Sequence, residues 1–361
     1  YRYLSELLHP AVGYLGGWAS LLVGFSAPVA MDALAAGAFA STVFPRLDPT
    51  WTGAAMVVLL TGFHAVGFRA SFRTQNLLIA VKATLLIGFV GVGLFLGARG
   101  WPTWTPPNAQ PGFPLGPFAG SLFFIALAFS GWNAAIYAAE EFEDPARTVP
   151  RAMIIGTLLV AAVYLLVNWI FVANLDPATA FFSVTGDNGT LGHAVMARLL
   201  GPTAAVFWSA AIVLVFLSAM SAMIFLGPRV YAAMAADGFL PGFLRASPGG
   251  HPPRAAILLQ GAITLLIVFT QGLRETLGQV GAILVLFAAL VALGLLVARV
   301  RGLRPTPSKR AVAAAIIYVV SSGWMFWKGF GSQPRTLLWV GGVAAIGVLA
   351  WALSRRGRQA L

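Results

Sequence analysis

Ten stretches of this chain are continuously apolar over the length of a membrane crossing, and that excludes most folds at once. They cover residues 11–44, 52–68, 77–98, 118–139, 152–174, 203–228, 255–273, 276–298, 311–327 and 336–354. A helix needs roughly 20 residues to cross about 30 Å of hydrocarbon. The runs at 152–174 and 203–228 hold no charge at all. Strands of a membrane barrel alternate polar and apolar residues; these runs do not alternate, so helices are predicted. Only 9% of the 361 residues are charged and 59% are hydrophobic, against about 25% charged residues in soluble domains. A chain of this size cannot hide so much apolar surface from water. Cytosolic enzymes and disordered chains are excluded, which leaves an all-α polytopic membrane protein. The chain has no cysteine, so disulfides, thiolate metal sites and thiol nucleophiles are excluded too.

The formal net charge is +12. A nucleic-acid partner would require the bases to cluster on one polar face. Instead, the 20 Arg and 3 Lys fall almost entirely in short gaps between apolar runs. With residue 1 in the cytoplasm and a change of side at each run, inner segments hold 16 bases and outer segments 6. Cytoplasmic loops retain Lys and Arg, so both ends are predicted to be cytoplasmic and no nucleic acid is expected. The densest inner group is Arg299, Arg301, Arg304, Lys309 and Arg310. Pro and Gly collect at 99–117 and 238–253, as fits connections outside a bilayer. Residues 190–200 of the long 175–202 connection are expected to form a short surface helix. Abundant Ala, Gly and Arg with little Lys match a GC-rich bacterial genome, which points to a bacterial inner membrane. The opening Tyr1-Arg2-Tyr3-Leu4-Ser5-Glu6 has neither an initiator Met nor a leader pattern, and the expectation is that further residues precede it.

Two junctions are more specific. One is Phe129-Ser130-Gly131-Trp132-Asn133-Ala134-Ala135, followed by Glu140-Glu141 and Asp144-Pro145-Ala146-Arg147-Thr148-Val149-Pro150-Arg151. The other begins Arg229-Val230-Tyr231-Ala232-Ala233-Met234 and ends Asp237-Gly238-Phe239-Leu240-Pro241, with Pro252-Pro253 beyond. Together they resemble the amino acid–polyamine–organocation (APC) permeases. There the sixth helix has a small-residue break and ends in an acid before a Pro-x-Arg-x-x-Pro loop, and the eighth ends in a stretch like the second junction. Tyr1-x-Tyr3-Leu4, Gly13-Tyr14-Leu15 and Gly17-Trp18 look like the family's link between helices 2 and 3. The resemblance covers the whole chain and implies an APC/LeuT-like inverted-repeat transporter fold with ten of the usual twelve transmembrane helices. Within one domain, 1–361, it makes 1–98 the remainder of the first repeat (helices 3–5). Residues 118–301 are then the second repeat (helices 6–10), and 311–354 are helices 11 and 12. Helix 1, which carries half of the family's substrate site, and helix 2 would have no counterpart here.

Ser130 and Gly131 sit halfway along the 118–139 run. Glycine costs about 1 kcal/mol in a helix interior relative to alanine. By spacing alone the pair reads first as a site of close helix packing. Broken transporter helices instead aim N–H groups at anionic substrate groups near the midplane, and an α-carboxylate suits such donors. The resemblance turns the segment toward substrate binding by Phe129, Ser130, Gly131, Trp132 and Asn133, mainly through main-chain groups. Phe129 is then either an aromatic gate or a packing ring.

Lys82 lies nine residues beyond Arg73, about 13 Å along a helix rising 1.5 Å per residue. Ionisable groups at such depth are costly and usually functional. By resemblance Lys82 is the fifth-helix lysine that replaces a sodium ion in some proton-coupled or exchanging members; a tether to backbone carbonyls is the other reading. The resemblance places its amine near helix 1 and near Ser218 and Ser221 of the family's eighth helix, serines that otherwise read as packing residues. Asp32, which follows Pro28, either recognises an amine, pairs with Lys82 or reaches the outer interface.

Glu140, Glu141, Glu143 and Asp144 beside Arg147 and Arg151 read as a solvated or gate-forming ion-pair face at the inner gate. His9, His64, His193 and His251 share no metal-ligand spacing, so no metal is expected, and no cofactor either. There is no phosphate-binding loop, which argues against an ATP-driven pump.

The expected function is a secondary active transporter, a permease embedded in the lipid bilayer. It would move an amino acid or related amine by alternating access, with proton coupling or exchange. The alternative is a transport-incompetent fragment or a membrane-embedded binding or regulatory subunit. No nucleophile–base pair is present to support an enzyme.

Overall fold

The computed structural model describes residues 2–67, 72–98, 113–131, 143–180, 190–245, 253–303, 306–332 and 334–359. Among the described residues the regular structure is helical and no strand occurs. α1 (Arg2–Leu7) leads into α2 (Pro10–Ala19), whose entry is capped by His9, with Nδ1 accepting from the Ala11 N–H at 3.2 Å. Pro10 opens α2, where a missing N–H leaves no partner unsatisfied. A π-helical stretch, Ser20–Ser26, then joins α2 to α3 (Ala27–Val43). The result is one 34-residue rod, Pro10–Val43. Pro28 falls in the first turn of α3, so the change of helical register just before it accommodates a residue that interrupts an α-helical ladder.

α4 (Pro49–Ala65) starts at a strong signal: the Asp48 carboxylate accepts from the Trp51 N–H at 2.9 Å, and Pro49 follows as the first helical residue. α5 (Phe72–Leu96), α6 (Leu115–Ala128) and α7 (Pro145–Asn174) come next. α8 (Leu191–Leu200) is the short helix expected in the long connection, and α9 (Pro202–Ala236) follows it after Gly201. The chain ends with α10 (Arg254–Thr270), α11 (Leu273–Val300), α12 (Lys309–Ser332) and α13 (Pro334–Gln359). Six helices are long and apolar enough to cross a membrane: Pro10–Val43, Leu77–Leu96, Pro145–Asn174, Pro202–Ala236, Leu273–Val300 and Lys309–Gly331. Of the helices on the other apolar runs, α4, α6 and α10 are shorter. In the run at 118–139 the described helix stops at Ala128, and residues 132–139 lie outside the described residues.

The centre of the molecule is a bundle of α3, α4, α9 and α10. Small residues let its backbones touch. A Cβ on Gly37 would lie 2.0 Å from the Pro49 carbonyl oxygen, and one on Gly53 would lie 2.4 Å from that of Ala33. Close backbone approach through small residues is how helices gain packing energy where lipid supplies no hydrophobic drive. Val29, Ala30, Ala33, Val57, Met220 and Ile224 fill this core. α6, α11 and α12 form a second group around the buried Phe123, whose ring meets Phe326 and Phe330 at 5.4 and 5.9 Å. A third group joins α5, α7, α8 and α9 around Phe89, which lies 5.6 Å from Phe171 and 5.4 Å from Trp208. The outer face of α7 exposes Ile154, Ile155, Leu158, Leu159 and Leu165. An apolar face of that extent needs an apolar surrounding.

Candidate functional site

α6 loses its helical register where Ser130 and Gly131 stand. The Phe129 N–H still donates to Ile125 at 3.0 Å, while the Ser130 N–H donates to Leu127 at 2.8 Å, a tightened last turn. Gly131 has φ +95°, a region that glycine enters without steric cost. The chain therefore turns off the α6 axis at Phe129–Gly131. A helix end leaves its last carbonyls without intrahelical partners, and α7 supplies one partner. The Tyr164 hydroxyl donates to the Ala128 carbonyl at 2.7 Å, and the Tyr164 ring meets Phe129 edge-on at 5.2 Å. Tyr164 was not singled out from sequence; its one signal is a tyrosine within the apolar 152–174 run.

The polarity of this turn matters. The C-terminal end of α6 presents carbonyl oxygens at Phe129–Gly131. Trp132 and Asn133, with Glu140 and Glu141, lie outside the described residues. Past them, Asp144 and Arg147 form a loose pair at 3.9 Å, both largely exposed; exposed pairs of this kind contribute little.

Lys82 is in α5 and Asp32 in α3. Each feels the charge of the other, but among the described residues no ion pair or hydrogen bond joins them. Ser218 and Ser221 are on α9, which packs against both α3 and α5. Ser218 is buried. Ser221 Oγ is 3.0 Å from Nε2 of the buried His64, so that serine ties α9 to α4. The stack continues down α9: the His64 ring lies 6.1 Å from that of Phe225. The Arg229 guanidinium covers the other ring at 3.4 Å from its centroid and donates to the Phe225 carbonyl. From sequence, His64 reads as a packing histidine; its position late in an apolar run gave no sign of the serine opposite.

The π-helical stretch is held by the neighbouring helices. The Leu21 carbonyl accepts from the Ser26 hydroxyl at 2.8 Å and from the Tyr231 hydroxyl of α9 at 3.3 Å. The Ser26 carbonyl accepts from Thr264 of α10 at 3.2 Å. Beyond α7, Thr179 donates its hydroxyl (2.5 Å) and its N–H (2.9 Å) to Asp176. These bonds hold the Asp176 carboxyl below the usual carboxylate range. Among the described residues no cluster of three potential metal ligands occurs.

The sequence profile of the amino acid permease family matches residues 1–351. Human large neutral amino acids transporter small subunit 2 is 27% identical over 350 residues, covering 92% of this chain and 64% of the relative. Mouse Asc-type amino acid transporter 1 is 27% identical over 359 residues, with the same shares. Rabbit b(0,+)-type amino acid transporter 1 is 27% identical over 313 residues, covering 83% of this chain and 62% of the relative. The chain thus spans a little under two thirds of the length of these relatives. Both the family and these relatives are transporters and not enzymes, and the chain is a multi-pass membrane protein that belongs to the amino acid permease family of the APC superfamily.

Proposed function

We propose that this protein is a secondary transporter that moves an amino acid or related amine across the membrane by alternating access. The observation that carries the reading is the end of α6 and the turn at Phe129–Gly131, inside an apolar run that continues to residue 139 in sequence. A helix interrupted at mid-membrane depth exposes main-chain groups that an intact helix would consume, and transporters build midplane sites from such groups. Phe129, Ser130, Gly131, Trp132 and Asn133 form the substrate-binding segment, with the α-carboxylate on the N–H groups that follow the turn. The names of the relatives, all amino acid transporters, support an amino acid as the substrate class.

Lys82 and Asp32 act as a membrane-embedded charge couple. A proton taken up or lost there favours one access state over the other. Such a shift requires only that the two states bind the proton with different affinity. The acid–Arg segment from Glu140 to Arg147 closes the inner gate, and the chain lies in the inner membrane with both ends cytoplasmic. Its repeats divide as the resemblance implies, with 1–98 in the first and 118–301 in the second.

The test is uptake of labelled amino acids and polyamines by cells or proteoliposomes carrying the protein, compared with Gly131→Val. A β-branched residue is strained at the positive φ of this position. Saturable uptake that the substitution reduces more than about tenfold, with insertion retained, is the expected result. No uptake of any compound in the panel overturns the transport reading. Uptake unchanged in Gly131→Val overturns the site.

A further inference from the structure

The two ends of the connection between α11 and α12 are hydrogen-bonded to their helices, and the charged side chains described at this corner are all basic. α11 closes at Gly302: the Leu303 N–H reaches back to the Ala298 carbonyl at 3.0 Å, and the Gly302 N–H donates to the Arg299 carbonyl at 3.3 Å. This pattern satisfies the last carbonyls of a helix and fixes the direction of the exit. Arg301 is anchored further, donating to the Leu7 carbonyl of α1 at 3.4 Å. α12 restarts at Lys309, with the Ser308 hydroxyl accepting from the Ala311 N–H at 3.2 Å. Arg299, Arg301, Lys309 and Arg310 are all exposed on this corner. Arg304 adds another base in sequence but lies outside the described residues.

Two features separate this corner from an ordinary charged loop. First, the chain contains no acidic residue after Glu275. Glu6, on the adjacent α1, forms no ion pair with these bases, and among the described residues no other acidic side chain pairs with them. Second, Val300 and Leu303 stand among the bases with 87% and 42% of their surface exposed. Bases interleaved with exposed aliphatic side chains at the end of a membrane helix match a surface that is anionic in its headgroups and apolar just below them.

We infer that the α11–α12 corner binds the anionic headgroups of phospholipids in the cytoplasmic leaflet. Arg299, Arg301, Lys309 and Arg310 contact the phosphates, and Val300 and Leu303 enter the acyl boundary. The leaflet assignment rests on the topology proposed above, whereas the lipid preference does not.

The experiment is native mass spectrometry of the detergent-purified protein with phosphatidylglycerol or phosphatidylcholine added. Phosphatidylglycerol should be retained at about tenfold lower concentration than phosphatidylcholine. The combined variant Arg299→Gln/Arg301→Gln/Lys309→Gln/Arg310→Gln should bring the two lipids close to parity. Lys309→Gln/Arg310→Gln alone should remove part of the preference, and Arg46→Gln/Arg335→Gln, at the opposite ends of the helices, should leave it intact. Equal retention by the unmodified protein, or an undiminished preference in the combined variant, overturns the inference. Displacement of the bound lipid by inorganic phosphate alone also overturns it, since that would mark a simple anion site. Ser308→Cys in this cysteine-free chain tests the leaflet separately. Labelling by an impermeant maleimide only after the inner face is opened supports the assignment, and labelling from outside overturns it while leaving the detergent result to stand.

Discussion

Single residues carry two kinds of information in this molecule, and only one is visible in sequence. Lys82 and Asp32 stand out because each is a lone charge in an apolar run, and in the structure each feels the charge of the other. Tyr164 and His64 do not stand out, because their meaning lies in a partner on another helix. Replacing Tyr164 by Phe removes the donor to the Ala128 carbonyl, and the expected loss is about 0.5–1.5 kcal/mol of stability. The measurement is the thermal unfolding midpoint in detergent, with uptake assayed alongside. Lys82→Ala is expected to abolish or flatten the pH dependence of uptake while membrane insertion survives. A variant that transports with an unaltered pH profile would make Lys82 a structural tether. Asp176 offers a cleaner titration outside the membrane. Its carboxyl is depressed by the two bonds from Thr179, so its folded-state contribution is complete above about pH 4 and is lost as pH falls through the depressed value. In Thr179→Val, which keeps the N–H bond but lacks the hydroxyl, carboxyl NMR should show Asp176 titrating closer to about 3.9.

At the scale of helices, hydropathy located the rods well and their interruptions poorly. The run at 118–139 stays apolar through Phe129 and Trp132, so a window average carries the span past the turn that Gly131 makes. The Ser-Gly pair was the only local cue. The π-helical stretch at Ser20–Ser26 had only Pro28 just beyond it, because the hydroxyls of α9 and α10 that reach its carbonyls come from elsewhere in the chain. The α3–α4 contact was equally hidden: glycines are common in membrane helices, and only the structure shows which of them face a backbone. Gly37→Leu and Gly53→Val would each push a side chain into a carbonyl 2.0 or 2.4 Å from the first added atom. Separation of the two helices is the expected response. It should cost at least about 1–3 kcal/mol, seen as a lowered unfolding midpoint and reduced yield of folded protein. A normal midpoint in both variants would mean that α3 and α4 do not pack as described.

At the scale of the whole molecule, the loop charges and the tertiary contacts are independent lines of argument that agree. Side alternation assigns the ends of α10, α11 and α13 that carry Gln271, Glu275 and Arg335 to the outer face. Glu275 and Arg335 pair there at 3.2 Å. It assigns Leu7 and Arg301 to the inner face, and they are hydrogen-bonded at 3.4 Å. Ala65 and Arg254, also inner by alternation, are joined at 3.2 Å. His9 and Trp351, inner again, have rings 6.2 Å apart. Contacts alone fix which ends share a side. The excess of Lys and Arg is the argument for which side faces the cytoplasm, because cytoplasmic loops retain those residues. The absence of native cysteine makes the consequence simple to measure. Leu47→Cys and Gln271→Cys should react with an impermeant maleimide in intact cells. Ser5→Cys should react only once the inner face is exposed, in step with the result expected for Ser308→Cys. Reversal at all four positions would keep the helix packing and invert the orientation, which would place the basic corner of α11 and α12 outside. A mixed pattern, with Ser5 and Ser308 on opposite sides, would break the alternation itself and with it the assignment of 118–139 as a single interrupted crossing.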